Sequence, residues 1–218
     1  MSLIYFRNSD ETRDTQVSDG HPLPVTDLTP RPNFAGSIYT ADHLWRMADL
    51  GRLYVASDAD QDDMVTTQTS FANTTPSFLL RVPTGVVAIP LFLNLSQSGT
   101  VAGGSIGVVI EMDDVDRYAS GGTEETIFNP RKLPSVPRSK VYSGATASAG
   151  YGVRIWGATL APDVSPAEGA VQGPFWKPEM PYFIEGPASF LIYTYAAVTA
   201  PTWLWSLGFA EFDVDTGI

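Results

Sequence analysis

Cysteine is missing from all 218 residues, and histidine occurs only twice. The first absence removes disulfides, zinc–thiolate sites and thiol nucleophiles together. His21 and His43 have no second imidazole or carboxylate at ligand spacing, so each reads as a loop or helix-face side chain. No G-x-S-x-G elbow is present. The glycine-rich run Gly103-Gly104-Ser105-Ile106-Gly107 lacks the Lys-Ser/Thr pair of a phosphate-binding loop. Charge is scarce as well: 17% of residues, with 24 acidic against 13 basic and a net charge of −11. Such a surface repels phosphate backbones, which argues against direct nucleic-acid binding. A carboxylate-pair hydrolase is the enzyme class these absences touch least, because the separation of its two carboxylates is set by the fold. No pair stands out among the acidic residues. The chain therefore reads as non-enzymatic, with no cofactor.

What the chain has in quantity is turn formers and rings: 19 glycines, 17 prolines and 11% aromatics. That composition favours a turn-rich β protein. The block from Gly186 to Phe212 is free of charge until Glu211 and is dense in aromatics. It predicts two strands, 188–198 and 202–212, joined at Thr199-Ala200-Pro201. In the second, Trp203, Trp205, Leu207 and Phe209 share one side, and Leu204, Ser206, Gly208 and Ala210 the other. Period-two sorting of this kind marks a sheet face packed on a core. A membrane span is the rival for this block. The central Pro201, the scattered hydroxyls and the acidic flanks without Lys or Arg favour a soluble sheet.

Upstream, residues 1–36 read as an extended N-terminal arm, polar from residue 7 onward and held open by Pro22, Pro24, Pro30 and Pro32. An arm with so little apolar content has to lie on another surface. Residues 37–218 read as a single all-β, antiparallel β-sandwich domain. Its start, 37–57, predicts a short helix through Leu44, Met47 and Ala48, ended by Gly51 and followed by a strand at Arg52–Ala56. The opening four-residue apolar run is too short for a signal-peptide core. The sequons at Asn73 and Asn94 are accordingly read as chance.

From residue 75 onward, strands recur at intervals of roughly ten residues, as in a sandwich or barrel. Within 86–95, Val87, Ile89, Leu91, Leu93 and Leu95 are expected on one face, with Pro90 marking an edge or bulge. In 151–160, Val153 and Ile155 are expected on one side, with Arg154 and Trp156 on the other. Long Pro/Gly-rich loops separate these strands.

Two acidic clusters suggest metal. Asp58, Asp60 and Asp62 alternate like the first half of a calcium loop, but Asp63 stands at the glycine position and Thr69 at the bidentate glutamate position. A solvated acidic turn is the plainer reading. The same choice applies to Glu111, Asp113, Asp114 and Asp116. Candidate partner contacts are Pro22, Leu23, Pro24 and Val25 in the arm, and Arg131 and Lys132 in a basic cluster with Arg117, Arg138 and Lys140. That cluster is either a solvated loop or a docking surface for an acidic partner. Phe175 and Trp176 are either a satellite core under a loop or exposed anchors for a partner or sugar ring.

Four phrases carry a resemblance: SDGHPLPV (18–25), TTPSFLLRVPTGVVAIPL (74–91), YASGGTEETIFNPR (118–131) and EGPASFLIYTYAAVTAPTW (185–203). They look like those of virion structural proteins in tailed bacteriophages, a similarity that extends over about half the chain. In particular the chain resembles small capsid decoration (cement) proteins. The resemblance implies a jelly-roll-like domain, a homotrimer and binding to the major capsid protein. It also implies a place on the capsid exterior after assembly in the host cytoplasm, with no membrane partner. A receptor- or glycan-binding module of a tail spike or fibre is the alternative expectation.

Overall fold

The computed structural model describes residues 5–6, 15–16, 47–58, 64–98, 105–131, 136–160, 172–196 and 201–214. Pro22–Val25, His21, His43, Asp60, Asp62 and Lys132 lie outside the described residues. The chain divides into two compact units, Met1–Asp42 and His43–Ile218. In the first, β1 (Tyr5–Phe6) pairs antiparallel with β2 (Thr15–Gln16).

The described part of the second unit opens on a helical turn at residues 47–49. Gly51 ends it at φ 69°, with Gly51 N–H on Ala48 O at 2.9 Å and Arg52 N–H on Met47 O at 3.0 Å. Only glycine takes this left-handed position without a steric penalty, which is how the sequence stops the turn here. Strands follow: β3 (Leu53–Ser57), β4 (Val65–Thr66), β5 (Phe78–Val82), β6 (Val86–Ser98) and β7 (Ile106–Asp113). Then come β8 (Tyr118–Ser120), β9 (Thr123–Glu124), β10 (Ile127–Phe128), β11 (Lys140–Ser143) and β12 (Thr146–Ala147). The last five are β13 (Val153–Leu160), β14 (Gln172–Trp176), β15 (Ile184–Glu185), β16 (Ala188–Ala196) and β17 (Thr202–Asp213).

These strands build an all-β fold with two large antiparallel sheets. The seven-stranded sheet runs β10-β3-β17-β6-β14, with β15 on β6 and β4 on β17; the six-stranded sheet runs β13-β7-β16-β5-β11-β9. The two strands of the terminal aromatic block form as expected, yet β16 belongs to the six-stranded sheet and β17 to the seven-stranded one.

Side chains of both sheets meet in one core. Trp203, Trp205, Leu207 and Phe209 point into it from β17, as their period predicts, and Phe78, Phe190 and Ile192 meet them from the other sheet. Phe78 and Trp205 pack across the core as tilted rings with centroids 4.5 Å apart, and Trp176 and Phe190 likewise at 5.6 Å. β5 therefore faces β17 and β16 faces β14, so the β13 and β14 edges lie on the same side of the unit. Each fully buried ring or aliphatic chain contributes roughly 1.5–3 kcal/mol. The indole N–H of Trp203 donates to Thr67 Oγ1 at 2.6 Å, and Thr194 and Ser77 extend that hydroxyl chain.

Register shifts occur in the β14–β6 and β12–β8 pairs as well, but those in β6 and β13 bear on the faces expected from the sequence. In β6 the register slips between Pro90 and Phe92, where β17 passes from Phe209 to Gly208. Leu93 and Leu95 consequently face the core, while Val87 and Ile89 cluster with Met47 and Ala210 on the outer face and Leu91 packs against them. The single five-residue face expected for 87–95 is thus split by one extra residue, as a bulge does. In β13 a bulge between Arg154 and Trp156 brings both Ile155 and Trp156 against the core. Trp156 does not share a side with Arg154.

Candidate functional site

The outer face of the six-stranded sheet carries a second buried cluster that includes Leu79, Val109, Tyr142, Leu191 and Tyr193. Arg117 is fixed beside it, with 1% of its surface exposed. Its Nη1 meets Asp113 Oδ2 at 2.8 Å, and Nε donates to Ser148 O at 2.7 Å. Nη2 donates to Asn73 O at 3.2 Å and Gly150 O at 3.0 Å. Asn73 Nδ2 donates to Gly150 O at 2.7 Å, and the Tyr193 hydroxyl to Asn73 O at 3.0 Å. The guanidinium thereby ties the segments around Asn73 and Ser148–Gly150 to the sheet. Burial, and then the charge of Glu111, pushes the Tyr193 phenol up to about 12.

This arrangement removes Arg117 from the basic cluster expected around residues 131–140. Arg117 is interior, because its donors are needed to satisfy backbone carbonyls. Arg138 pairs with Asp213 at 2.9 Å and Lys140 with Glu124 at 2.9 Å. Arg131 is exposed and donates to Asp49 O. Arg131, Arg138 and Lys140 thus each have a contact within the chain.

In the second acidic cluster, two carboxylates have arginine partners. Asp113 and Asp116 are held by Arg117 and Arg81, the latter with an Arg81 Nη2–Asp116 Oδ2 distance of 2.6 Å. That bond holds the Arg81 guanidinium above its ordinary pKa. Glu111 is buried on β7, and its Oε2 has no hydrogen-bond partner among the described residues. Asp58 lies half-buried just after β3. Among the described residues no three His, Cys, Asp or Glu side chains converge as a metal site, and no helix is long and apolar enough to cross a membrane.

Phe175 and Trp176, adjacent in sequence, part company. Trp176 is 3% exposed and packs against Tyr182 and Phe190 in the core. Phe175 points outward, 60% exposed. The exposed-anchor expectation therefore fails for Trp176, since neighbouring strand residues face opposite ways. A Trp176→Ala change would open the core, not a surface.

One side of the unit concentrates open apolar surface. The edge strand β13 carries Val153, 71% exposed, after Tyr151 at 80%; along the β14–β15 edge stand Met180 at 62% and Phe183 at 52%. Sequence reasoning placed Val153 on a strand face without marking it as exposed, and missed Tyr151, Met180 and Phe183 because single apolar side chains in loops carry no periodic signal. The opposite edges are two-residue strands, β9 and β10. A shallow cavity of about 210 Å³ lies elsewhere, where Arg52 sits 4.9 Å above the ring of Phe212 between Glu211 and Arg138.

No family model, curated protein or solved structure matches the chain. Its function is therefore argued from its own chemistry.

Proposed function

We propose that this protein is a non-enzymatic structural component of a phage virion, a decoration protein that binds the exterior of the capsid as a homotrimer. The observation that carries the reading is where the aromatic rings sit. They fill the space between the sheets, where a jelly-roll enzyme or carrier would hold its ligand, and this leaves the outside as the working surface. The fold reading is a jelly roll, supported by strand order. Of β3, β5, β6, β7, β13, β14, β16 and β17, the first, eighth, third and sixth lie abreast in one sheet; the second, seventh, fourth and fifth do so in the other. Two interlocked Greek keys have this order. The β13 edge, which pairs with no further strand among the described residues and is flanked by Tyr151, Val153, Met180 and Phe183, suits contact between subunits. The acidic balance suits an outer face and not a DNA-lined interior.

Co-sedimentation with undecorated capsid shells tests the reading. The intact protein is expected to pellet with shells and to run as a trimer alone. A variant lacking residues 1–42 should keep its β-type circular dichroism but stay in the supernatant. Full attachment of that variant, or a stable monomer indifferent to shells, would overturn the proposal.

A further inference from the structure

The outer face of the seven-stranded sheet has two halves. One is covered: Met47 of the helical turn closes over Val87, Ile89 and Ala210. The other is open. Register sets Phe175, Asn94 and Ser206 abreast in one row, and in the next row Phe92 opposes Gly208, with Phe128 at the far end beyond Val55. Leu204 lies beside them on β17. Phe175 is 60%, Phe128 56% and Leu204 37% exposed. A Cβ at residue 208 would overlap the Phe92 ring, so glycine is what allows that ring to lie down on the sheet. Asn94 Nδ2 donates to Ser206 Oγ at 3.3 Å, which orients the amide between the rings.

The paired residues of these rows are rings, an amide, hydroxyls and aliphatic groups without a charged side chain among them, exposed Lys177 coming just past the end of β14, on a chain of net charge −11. That combination selects an occupant. A second copy packed here sheet on sheet would strip water from Asn94 and Ser206, at a cost of roughly 1–3 kcal/mol for each group left unpaired. An anionic ligand would meet the repulsion of the whole molecule. A neutral ligand with hydroxyls on its rim and C–H faces above and below satisfies both demands. Adjacent strands are about 4.8 Å apart, so Phe175, Asn94 and Ser206 span about 10 Å, a platform for consecutive sugar units.

We propose that the open half of this face binds a neutral glycan, its sugar faces on Phe175 and Phe92 and its hydroxyls on Asn94 and Ser206. The site is distinct from the β13 edge, which is assigned to contact between subunits, and from residues 1–42, to which capsid attachment is assigned. Calorimetric titration of the intact protein with cellohexaose, maltohexaose and laminarihexaose tests it, with hyaluronan hexasaccharide as the anionic control. Saturable binding of at least one neutral glucan is expected. It should weaken at least tenfold in Phe175→Ala and in Asn94→Ala, both checked for fold by circular dichroism, and stay unchanged in Phe183→Ala. No saturable binding to any of the three, equal binding of hyaluronan, or full binding by Phe175→Ala would each overturn it. Self-association that disappears in Phe175→Ala without any sugar binding would overturn it in favour of a second copy.

Discussion

A guanidinium inside a protein is tolerable only when its charge and its donors are all met. Arg117 achieves this with one carboxylate and three backbone carbonyls. Nothing in its sequence neighbourhood announces burial, because the partners come from residues 31 to 44 positions away as well as from Asp113. Tyr193 shares the same carbonyl of Asn73 and gives a measurable consequence. Its phenol ionises at about 12 in the folded chain, against about 10 in an unfolded one. Between those values the unfolded chain has released its proton and the folded chain has not. Stability present below pH 10 is therefore lost as pH rises toward 12. Tyr193→Phe should cost about 1 kcal/mol at neutral pH through the lost hydrogen bond, and should lose less stability than the parent between pH 10 and 12. Urea midpoints across that range check it; parallel losses in the two proteins would count against the assignment.

For single strands, legibility followed the count of residues. β17 alternates without interruption from Trp203 to Phe209, so its core face could be read directly from the sequence. β6 and β13 each contain one extra residue, and past that point every period-two assignment is reversed. Pro90 signals the first irregularity without saying which residue is extra. Among candidate contacts, Phe175 and Trp176 show the same rule: adjacency in a strand separates two rings instead of pairing them. The close approach of Phe92 to Gly208 has no sequence signal at all, since the two are brought together only by register. Gly208→Ala should destabilise by about 1 kcal/mol, the low end for overpacking because the Phe92 ring is only partly buried and can shift. In a Phe92→Ala background the same substitution should be close to neutral. A double-mutant cycle in denaturant reads the coupling, and equal costs in both backgrounds would show that the ring is not the obstacle.

The molecule as a whole is asymmetric in how it ends its sheets. Two-residue strands close one side, while an eight-residue edge with exposed apolar flanks is left on the other. Composition made the all-β class legible, but strand neighbours were not, because periodicity reports which way a side chain points and never which strand lies beside it. If the open side joins subunits, Val153→Glu and Phe183→Glu should each shift sedimentation velocity from assembled protein toward monomer at micromolar concentration. Unchanged profiles for both would place the contact elsewhere. The strand order also bears on synthesis. β17 sits between β3 and β6, and β16 between β7 and β5, so the middle of each sheet is occupied by a segment the ribosome adds late. Until then a nascent chain holds two open slots flanked by unpaired backbone. Chains stalled before residue 188 would be expected to recruit chaperones or neighbouring polypeptides into those vacancies rather than to fold on their own.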